Sequence, residues 1–259
     1  MQEMRLSLLG GWQFVRDGEK TKLAFREQRV VALLAMEGHL ERRRVAGLLW
    51  PETTDSRALD SLRVSVHRIS RTVPGLVVAT RNRLGLAETV RIDLHDLRED
   101  LSRLPCSGND LPPGFVHFLR GADLLPGWDE PWLLTEQEEL LQRRIQVLET
   151  IAAFALQHHD TVRALEAAEA VLALEPLSER AACILAQAHA GAGNHAVAAA
   201  GLNRFIRRLG EELGLGPTPE VLNTLTQVRT GGAGLAPEGA GRPSRIPRGP
   251  GRQESFPSR

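Results

Sequence analysis

Residues 55–73 constrain the fold most, because they read as a single helix with two different faces. Spacings of three and four residues give it the apolar stripe of a helix on a core: Ala58, Leu62, Val66, Ile69 and Val73. Elsewhere on the helix lie Arg57, Arg63, Val64, His67, Arg68 and Arg71, and Asp60 is the one acidic residue after Asp55. Asp55 or Ser56 is expected to be the N-cap, and Pro74-Gly75 to end the helix. A face of this kind could enter a DNA major groove, or it could simply be exposed to solvent. These residues alone do not decide between the two interpretations.

The segments around this helix follow the order of a winged helix. Short β-type runs at residues 5–9 and 12–15, the turn Asp17-Gly18 and a return strand at 21–24 predict an N-terminal antiparallel sheet. Helices are predicted at 25–36, which Gly38 ends, and at 41–50, which Pro51 ends. The basic helix then leads into a hairpin with strands at 76–79 and 84–86, followed by a strand at 90–92.

The tip of this hairpin carries Arg81, Asn82 and Arg83, and the asparagine can adopt a left-handed turn conformation. A basic helix followed at once by a basic wing offers two points of contact with DNA, which favours DNA recognition. Three further arginines, Arg42 to Arg44, start the second predicted helix, where cations oppose the helix dipole. They indicate either a solvated turn, the interpretation we favour, or phosphate contacts.

Charge is unevenly distributed in a chain whose net charge is zero. Residues 1–95 have 16 Lys or Arg against 11 Asp or Glu, residues 96–229 have 11 against 19, and residues 230–259 have 5 against 2. A basic first part and an acidic second part predict different partners for each. No apolar signal region or run of transmembrane length occurs, so we expect a soluble, cytoplasmic protein without a membrane partner.

Helices without strands are predicted from residue 93 onward: 94–104, 133–158, 161–174, 177–190, 195–209 and 219–228. Residues 107–113 are predicted as loop and 121–131 as an irregular link. The helices at 161 and 195 start 34 residues apart, with Asp160 and Asn194 as expected N-caps. Alanine-rich helices at this period are the tetratricopeptide signature; the alanines are Ala164, Ala167, Ala168, Ala181, Ala182, Ala198 and Ala199.

Together these patterns predict an α+β winged helix-turn-helix domain at residues 1–93 and an all-α, tetratricopeptide-like domain at 94–229. Residues 230–259 consist mainly of Gly, Pro, Ser and Arg and lack apolar residues to offset ordering entropy. We therefore expect a disordered basic tail there.

Several segments, in order, resemble the Streptomyces antibiotic regulatory proteins, in which a response-regulator-type winged helix precedes a bacterial transcriptional activator domain. The resemblance covers residues 5–228. Its most specific pieces are LLGGWQFVRDG (8–18), REQRVVALLA (26–35), LLWPE (48–52), RALDSLRVSVHRISR (57–71), LLPGWDEPWLL (124–134), EPLSERA (175–181) and EELGLGPTPE (211–220).

The resemblance implies a transcriptional activator that binds direct repeats in double-stranded DNA near a promoter, as a homodimer, and recruits RNA polymerase holoenzyme. It places towards bases Arg63, Val64, His67 and Arg68, and towards phosphates Ser61, Ser65 and Arg71. It places the wing tip, Arg81, Asn82 and Arg83, over the minor groove. The loop implied to face polymerase comprises Pro51, Glu52, Thr53, Thr54, Asp55 and Ser56. His67 and Thr72 stand where the family often has Arg, Lys or Trp, which leaves the target sequence open.

No catalytic motif, phosphate-binding glycine loop or metal-ligand spacing occurs, so we expect no enzyme, cofactor or metal. His158 and His159 are adjacent and point to different helix faces, and Cys106 and Cys183 are far apart. The main alternative is a tetratricopeptide-like adaptor or ligand sensor whose winged helix does not bind DNA. Such a protein should have lost the helix arginines, but Arg63, Arg68 and Arg71 are present.

Overall fold

The computed structural model describes residues 3–103 and 111–233, and its first layer is a four-stranded sheet. The strands, in sheet order, are β3 (Glu19–Lys20), β2 (Gln13–Arg16), β1 (Met4–Ser7) and β7 (Val90–Ile92), with β1 and β7 parallel. Asp17 and Gly18 both have positive φ, 49° and 83°, which confirms the predicted turn. The return strand predicted at 21–24 is wrong: a two-residue turn sets Glu19 opposite Arg16, so pairing starts at once.

Three helices follow: α1 (Phe25–Glu37), α2 (Arg42–Leu49) and α3 (Asp55–Thr72). A second sheet has the order β4 (Leu40–Glu41), β6 (Arg83–Leu86), β5 (Val77–Ala79). The hairpin of β5 and β6 is the wing, and the order of strands, helices and wing agrees with the prediction. The chain leaves α1 through Gly38, whose φ of 73° is a left-handed value that suits glycine.

Helix α3 has the two faces that its periodicity predicts. Its buried stripe includes Ala58, Leu62, Ile69 and Val73, each at most 2% exposed, while Val66 is half-buried. The predicted N-cap is wrong, because the helix begins at Asp55 and its N-cap is Thr54, which makes no side-chain capping bond.

Seven helices form the rest of the described chain: α4 (Asp93–Arg103), α5 (Phe115–Gly121), α6 (Pro131–Gln157), α7 (Thr161–Leu174), α8 (Glu179–Gly191), α9 (His195–Leu213) and α10 (Pro219–Ala233). The sequence pattern predicts no element at α5, a short helix that buries Phe115, Val116 and Leu119. Helix α10 continues past residue 230, where the tail was predicted to start. The rest of the predicted tail, and most of the predicted loop at 107–113, lie outside the described residues.

Helices α6 to α10 pack in sequence, each against its neighbour, with α10 also against α8. The repeat helices α7 and α9 begin at residues 161 and 195, as predicted, and Asp160 accepts a hydrogen bond from the Arg163 amide at 3.2 Å. Asn194 is the N-cap of α9 but makes no side-chain capping bond. All the predicted alanines are buried except Ala199, which is half-buried; their small side chains let the helices approach closely.

One continuous core joins the winged helix to the helical domain. The amides of Leu8 and Leu9 donate to the Asp93 carboxylate, at distances of 2.9 to 3.2 Å, and the Leu125 amide donates to the Leu8 carbonyl at 2.8 Å. Burial raises the pKa of the Asp93 carboxyl, while these amide donors oppose the rise. Arg29 of α1 forms an ion pair with Glu130 at 2.7 Å. The first half is therefore held against the second by backbone, side-chain and apolar contacts.

Arg144 is the most deeply placed cation in the described chain, with 1% of its surface exposed. Its guanidinium donates to the carbonyls of Leu119 and Arg120 and to the carboxylate of Asp123, all within 2.8 Å. It thereby fixes α5 and the link after it against α6.

We predict that Arg144→Met lowers the free energy of unfolding by about 3 kcal/mol, because it leaves buried carbonyls without donors. Urea unfolding of the full chain measures this. Arg143→Met is the matched control: Arg143 is exposed and donates one hydrogen bond, to the Leu101 carbonyl at 3.1 Å. Equal losses in the two variants would contradict a special role for Arg144.

Candidate nucleic-acid interface

The exposed face of α3 is the candidate interface, and the buried stripe behind it is held by α1 and α2. Five of the predicted contact residues lie exposed on it: Arg63, Val64, His67, Arg68 and Arg71. Val64 is 45% exposed, an apolar β-branched side chain open to solvent among cations. Ser61 is half-buried at the edge of this face.

Ser65 corrects the predicted set of phosphate contacts. Its exposed fraction is 0%, and its hydroxyl donates to the Ser61 carbonyl one turn earlier at 3.0 Å. A serine at this position can be sealed in the core because that bond satisfies its hydroxyl. Ser65 therefore belongs to the packed stripe of α3 and cannot reach a phosphate.

Arg63 and Arg68 lie in different electrostatic surroundings. Arg63 Nη1 is 2.8 Å from Asp60 Oδ1, and both side chains are more than half exposed. An exposed pair of this kind contributes little to stability, so Arg63 can exchange its partner at small cost.

Arg68 Nη1 is 3.7 Å from Oε1 of Glu27, a carboxylate whose side chain is only 4% exposed. That oxygen has no hydrogen-bond partner among the described residues, so the arginine is the nearby cation that offsets its burial. The two side chains, with Lys22, Arg71 and Thr72, line a cleft of about 390 Å³ between α1 and α3. No local sequence pattern marks Glu27 as a residue of this site.

Hydrogen bonds hold the wing tip in place. The Thr80 amide donates to the Arg83 carbonyl at 2.9 Å, and the Arg83 amide donates to Thr80 Oγ1 at 3.0 Å. The Arg42 amide donates to the Asn82 carbonyl at 2.9 Å. Asn82 does not adopt the left-handed conformation considered for it. The side chains of Arg81, Asn82 and Arg83 are exposed.

Among the three arginines at the start of α2, Arg42 has a structural role. Its guanidinium donates to the Thr80 carbonyl from Nε at 3.3 Å and from Nη2 at 3.2 Å, which ties the helix to the wing. Arg44 Nη2 is 3.5 Å from Glu37, and Arg43 lines a cleft with Arg81. Arg42 is therefore not simply part of a solvated turn, while the phosphate contacts considered for this segment stay a prediction.

Of the six predicted polymerase-facing residues, 51–54 lie in the loop between α2 and α3, whereas Asp55 and Ser56 form the first turn of α3; all six side chains are exposed. Thr53 stabilises the start of the loop, since its amide and hydroxyl both donate to the Trp50 carbonyl, at 3.2 and 3.1 Å. Arg26 covers the Trp50 ring at 5.2 Å from the ring centroid. The loop is thus anchored at one end and free to contact another surface.

Two other kinds of feature, a membrane-spanning helix and a metal-binding cluster, are not found among the described residues. None of the helices in the described part of the chain combines the length and the apolar composition of a membrane span. Residues 3–103 and 111–233 hold no group of three or more His, Cys, Asp or Glu side chains placed to share a metal ion. Burial raises the pKa of the Cys183 thiol, and Cys106 lies outside the described residues.

The fold and the exposed basic face define a winged-helix protein with an attached helical-repeat domain. Residues 117–229 match the family model of the bacterial transcriptional activator domain. Regulatory protein AfsR of Streptomyces coelicolor is 31% identical over 234 residues. The helical part of the chain is therefore similar to a bacterial transcriptional activator domain, and the similarity to AfsR extends over most of the chain.

The match to AfsR covers 83% of this chain but only 23% of AfsR, so the chain spans less than a quarter of that relative. Among solved structures, Mycobacterium tuberculosis EmbR in complex with a low affinity phosphopeptide has a TM-score of 0.70 at 16% identity. That likeness covers 91% of this chain and 70% of the EmbR chain. It confirms the predicted fold class.

We predict that Arg42→Ala loosens the wing, because the Thr80 carbonyl loses its guanidinium donor. Amide hydrogen exchange at Thr80 and Arg83 should become about threefold to tenfold faster, because a change of this size corresponds to the free energy of one modest hydrogen bond. Arg43→Ala is the control, since within the described residues Arg43 makes no hydrogen bond or ion pair. Unchanged exchange in Arg42→Ala would show that the backbone bonds alone hold the tip.

Proposed function

We propose that the chain is a sequence-specific DNA-binding activator that binds direct repeats near a promoter and recruits RNA polymerase. The observation that carries the proposal is the exposed cationic face of α3, beside a wing whose tip adds two more arginines. The helix has its back in the core, so its exposed face can enter a major groove without unfolding. The similarity to the regulatory protein AfsR supports a role in gene regulation. The proposed place of action is the cytoplasm, where the chromosome is accessible.

In this proposal the side chains that contact the DNA bases are those of Arg63, Val64, His67 and Arg68. An arginine can donate two hydrogen bonds to guanine O6 and N7, and the Val64 methyl groups can pack against the methyl group of thymine. Glu27 holds Arg68 near α1 before DNA arrives, which restricts the directions from which this arginine can approach.

Phosphate contacts fall to Ser61 and Arg71, and the wing tip of Arg81, Asn82 and Arg83 lies over the minor groove. Within the described residues Arg71 makes no ion pair, so its charge is available to a phosphate. These contacts position the protein and make binding depend on salt.

Two copies on adjacent repeats complete the proposed complex. One α3 face makes few base contacts, and a homodimer approximately adds the binding free energies of two sites. The helical domain is the proposed source of dimer contacts. The proposed target genes are those of a secondary-metabolite cluster. The proposed polymerase contact is the exposed segment that joins α2 to the first turn of α3: Pro51, Glu52, Thr53, Thr54, Asp55 and Ser56.

We predict that Arg63→Ala weakens specific DNA binding by about 1–3 kcal/mol, the value of one bidentate guanine contact. The binding site is first selected from random double-stranded DNA with the full chain, and affinities are then measured at fixed salt. Arg103→Ala is the matched control, because Arg103 also lies in an exposed pair, with Glu99, but on α4. The proposal fails if no sequence is selected, or if Arg63→Ala and Arg103→Ala bind equally.

We predict that Glu52→Lys leaves DNA affinity unchanged and reduces run-off transcription several-fold with RNA polymerase holoenzyme. The residue is exposed in the loop after α2, so reversing its charge should disturb a partner surface and leave the fold intact. Glu88→Lys, exposed in the turn before β7, is the charge-matched control. Full transcription by Glu52→Lys would remove this loop from the proposed polymerase contact.

A further inference from the structure

The helical domain contains a groove of about 300 Å³ between α8 and α9, closed at one side by the end of α7. Its lining is mainly apolar and includes Leu172, Ala186, Leu202 and Phe205. This volume lies at the lower end of the range for small-molecule sites. The groove lies in the repeat helices, outside the winged helix and its proposed DNA contacts.

The charge of the lining is opposite to that of the surrounding domain. Residues 96–229 have 11 basic and 19 acidic residues, yet the charged residues that line the groove are Arg204 and Arg208. Arg208 Nε is 2.5 Å from Glu212 Oε1, so its charge is already matched. Arg204 makes no hydrogen bond or ion pair within the described part of the chain. The groove therefore presents one guanidinium that still lacks an anion.

His189 supplies a second unmatched polar group on the facing helix, α8. Its Nδ1 atom is buried, and among the described residues it has no hydrogen-bond partner. A buried polar atom without a partner is unfavourable, and an oxygen acceptor of a ligand would satisfy it once the imidazole ring turns Nδ1 towards the groove, if Nδ1 carries the proton. Arg204 and His189 are thus two potential donors that line the same groove from different helices.

Gly201 keeps the groove open. It lies within helix α9, where glycine is less favourable than alanine. A Cβ atom built at this position would meet no atom within 4 Å, so close packing against a neighbour does not require the glycine. Because Gly201 lines the groove, a larger side chain there would occupy the space that a ligand needs.

We propose that this groove binds a small carboxylic acid with a compact apolar body. The apolar lining takes the body, while Arg204 and His189 bind the carboxylate through charge-assisted hydrogen bonds. The volume suits a ligand of fragment size better than an extended peptide. This inference does not depend on DNA binding or on polymerase recruitment.

The test uses the full chain and three acids, 4-phenylbutyrate, octanoate and indole-3-acetate, each paired with its neutral alcohol: 4-phenylbutanol, octanol and indole-3-ethanol. Binding is followed by the NMR signals of the His189 ring and by the thermal unfolding midpoint. We expect at least one acid to shift both, and its alcohol to bind about tenfold more weakly, as the loss of a charge-assisted contact implies.

Variants locate the site. Arg204→Gln should weaken the acid by about tenfold, whereas Arg207→Gln, exposed on the same helix outside the groove, should bind as the wild type does. Gly201→Leu should abolish binding while keeping the helix at least as stable. The proposal is overturned if no acid binds, if acids and alcohols bind equally, if Arg204→Gln matches Arg207→Gln, or if Gly201→Leu still binds.

Discussion

The segment between α5 and α6 is the constraint on which the arrangement of the two halves depends. Residues 123–125 exchange backbone hydrogen bonds with residues 8–10, and buried Arg144 fixes the same segment from α6. Trp128 of this segment stacks on Trp12 and meets Phe25 edge-on, with ring centroids 6.0 and 4.9 Å apart. Because polar and apolar contacts coincide here, α3 has a defined position relative to the helical domain. The predicted boundary at residue 93 therefore marks a change in the sequence pattern, whereas the two parts share one hydrophobic core.

This coupling has a consequence for the proposed complex on repeats. If the helical domains supply the dimer contacts, a rigid junction transmits their spacing to the two α3 helices. The distance between repeats would then be set by the geometry of the helical domain, which a flexible linker would not specify. The ion pair of Arg29 with Glu130 reinforces this, since Arg29 also donates to the Leu49 carbonyl at the end of α2. One side chain thus connects the link to two of the three helices of the winged helix.

The sequence predicted those features of the fold that depend on the spacing of residues within one helix. The stripe of α3 and the limits of α7 follow from helical periodicity and capping, so they could be read directly. Ser65 could not, because a serine at a core position looks exposed until its hydrogen bond to the preceding turn is seen. Helix α5 is too short to show a period. The pairing of Arg68 with Glu27, and of Arg42 with the wing, joins residues about 40 positions apart, and no local pattern in one sequence encodes such contacts.

These distant pairings change how the arginines on α3 should be understood. Arg63 shares an exposed pair with Asp60, and both side chains keep most of their solvent, so Arg63 retains rotamer freedom and can adapt to a base. Arg68 faces the buried Glu27 carboxylate, whose Oε1 atom has no hydrogen-bond partner among the described residues, and that attraction favours guanidinium positions near α1 before any ligand arrives. A restricted side chain loses less entropy on binding, and an adaptable one tolerates more sequences. Two residues of the same type thus give the α3 face one preorganised contact and one adjustable contact.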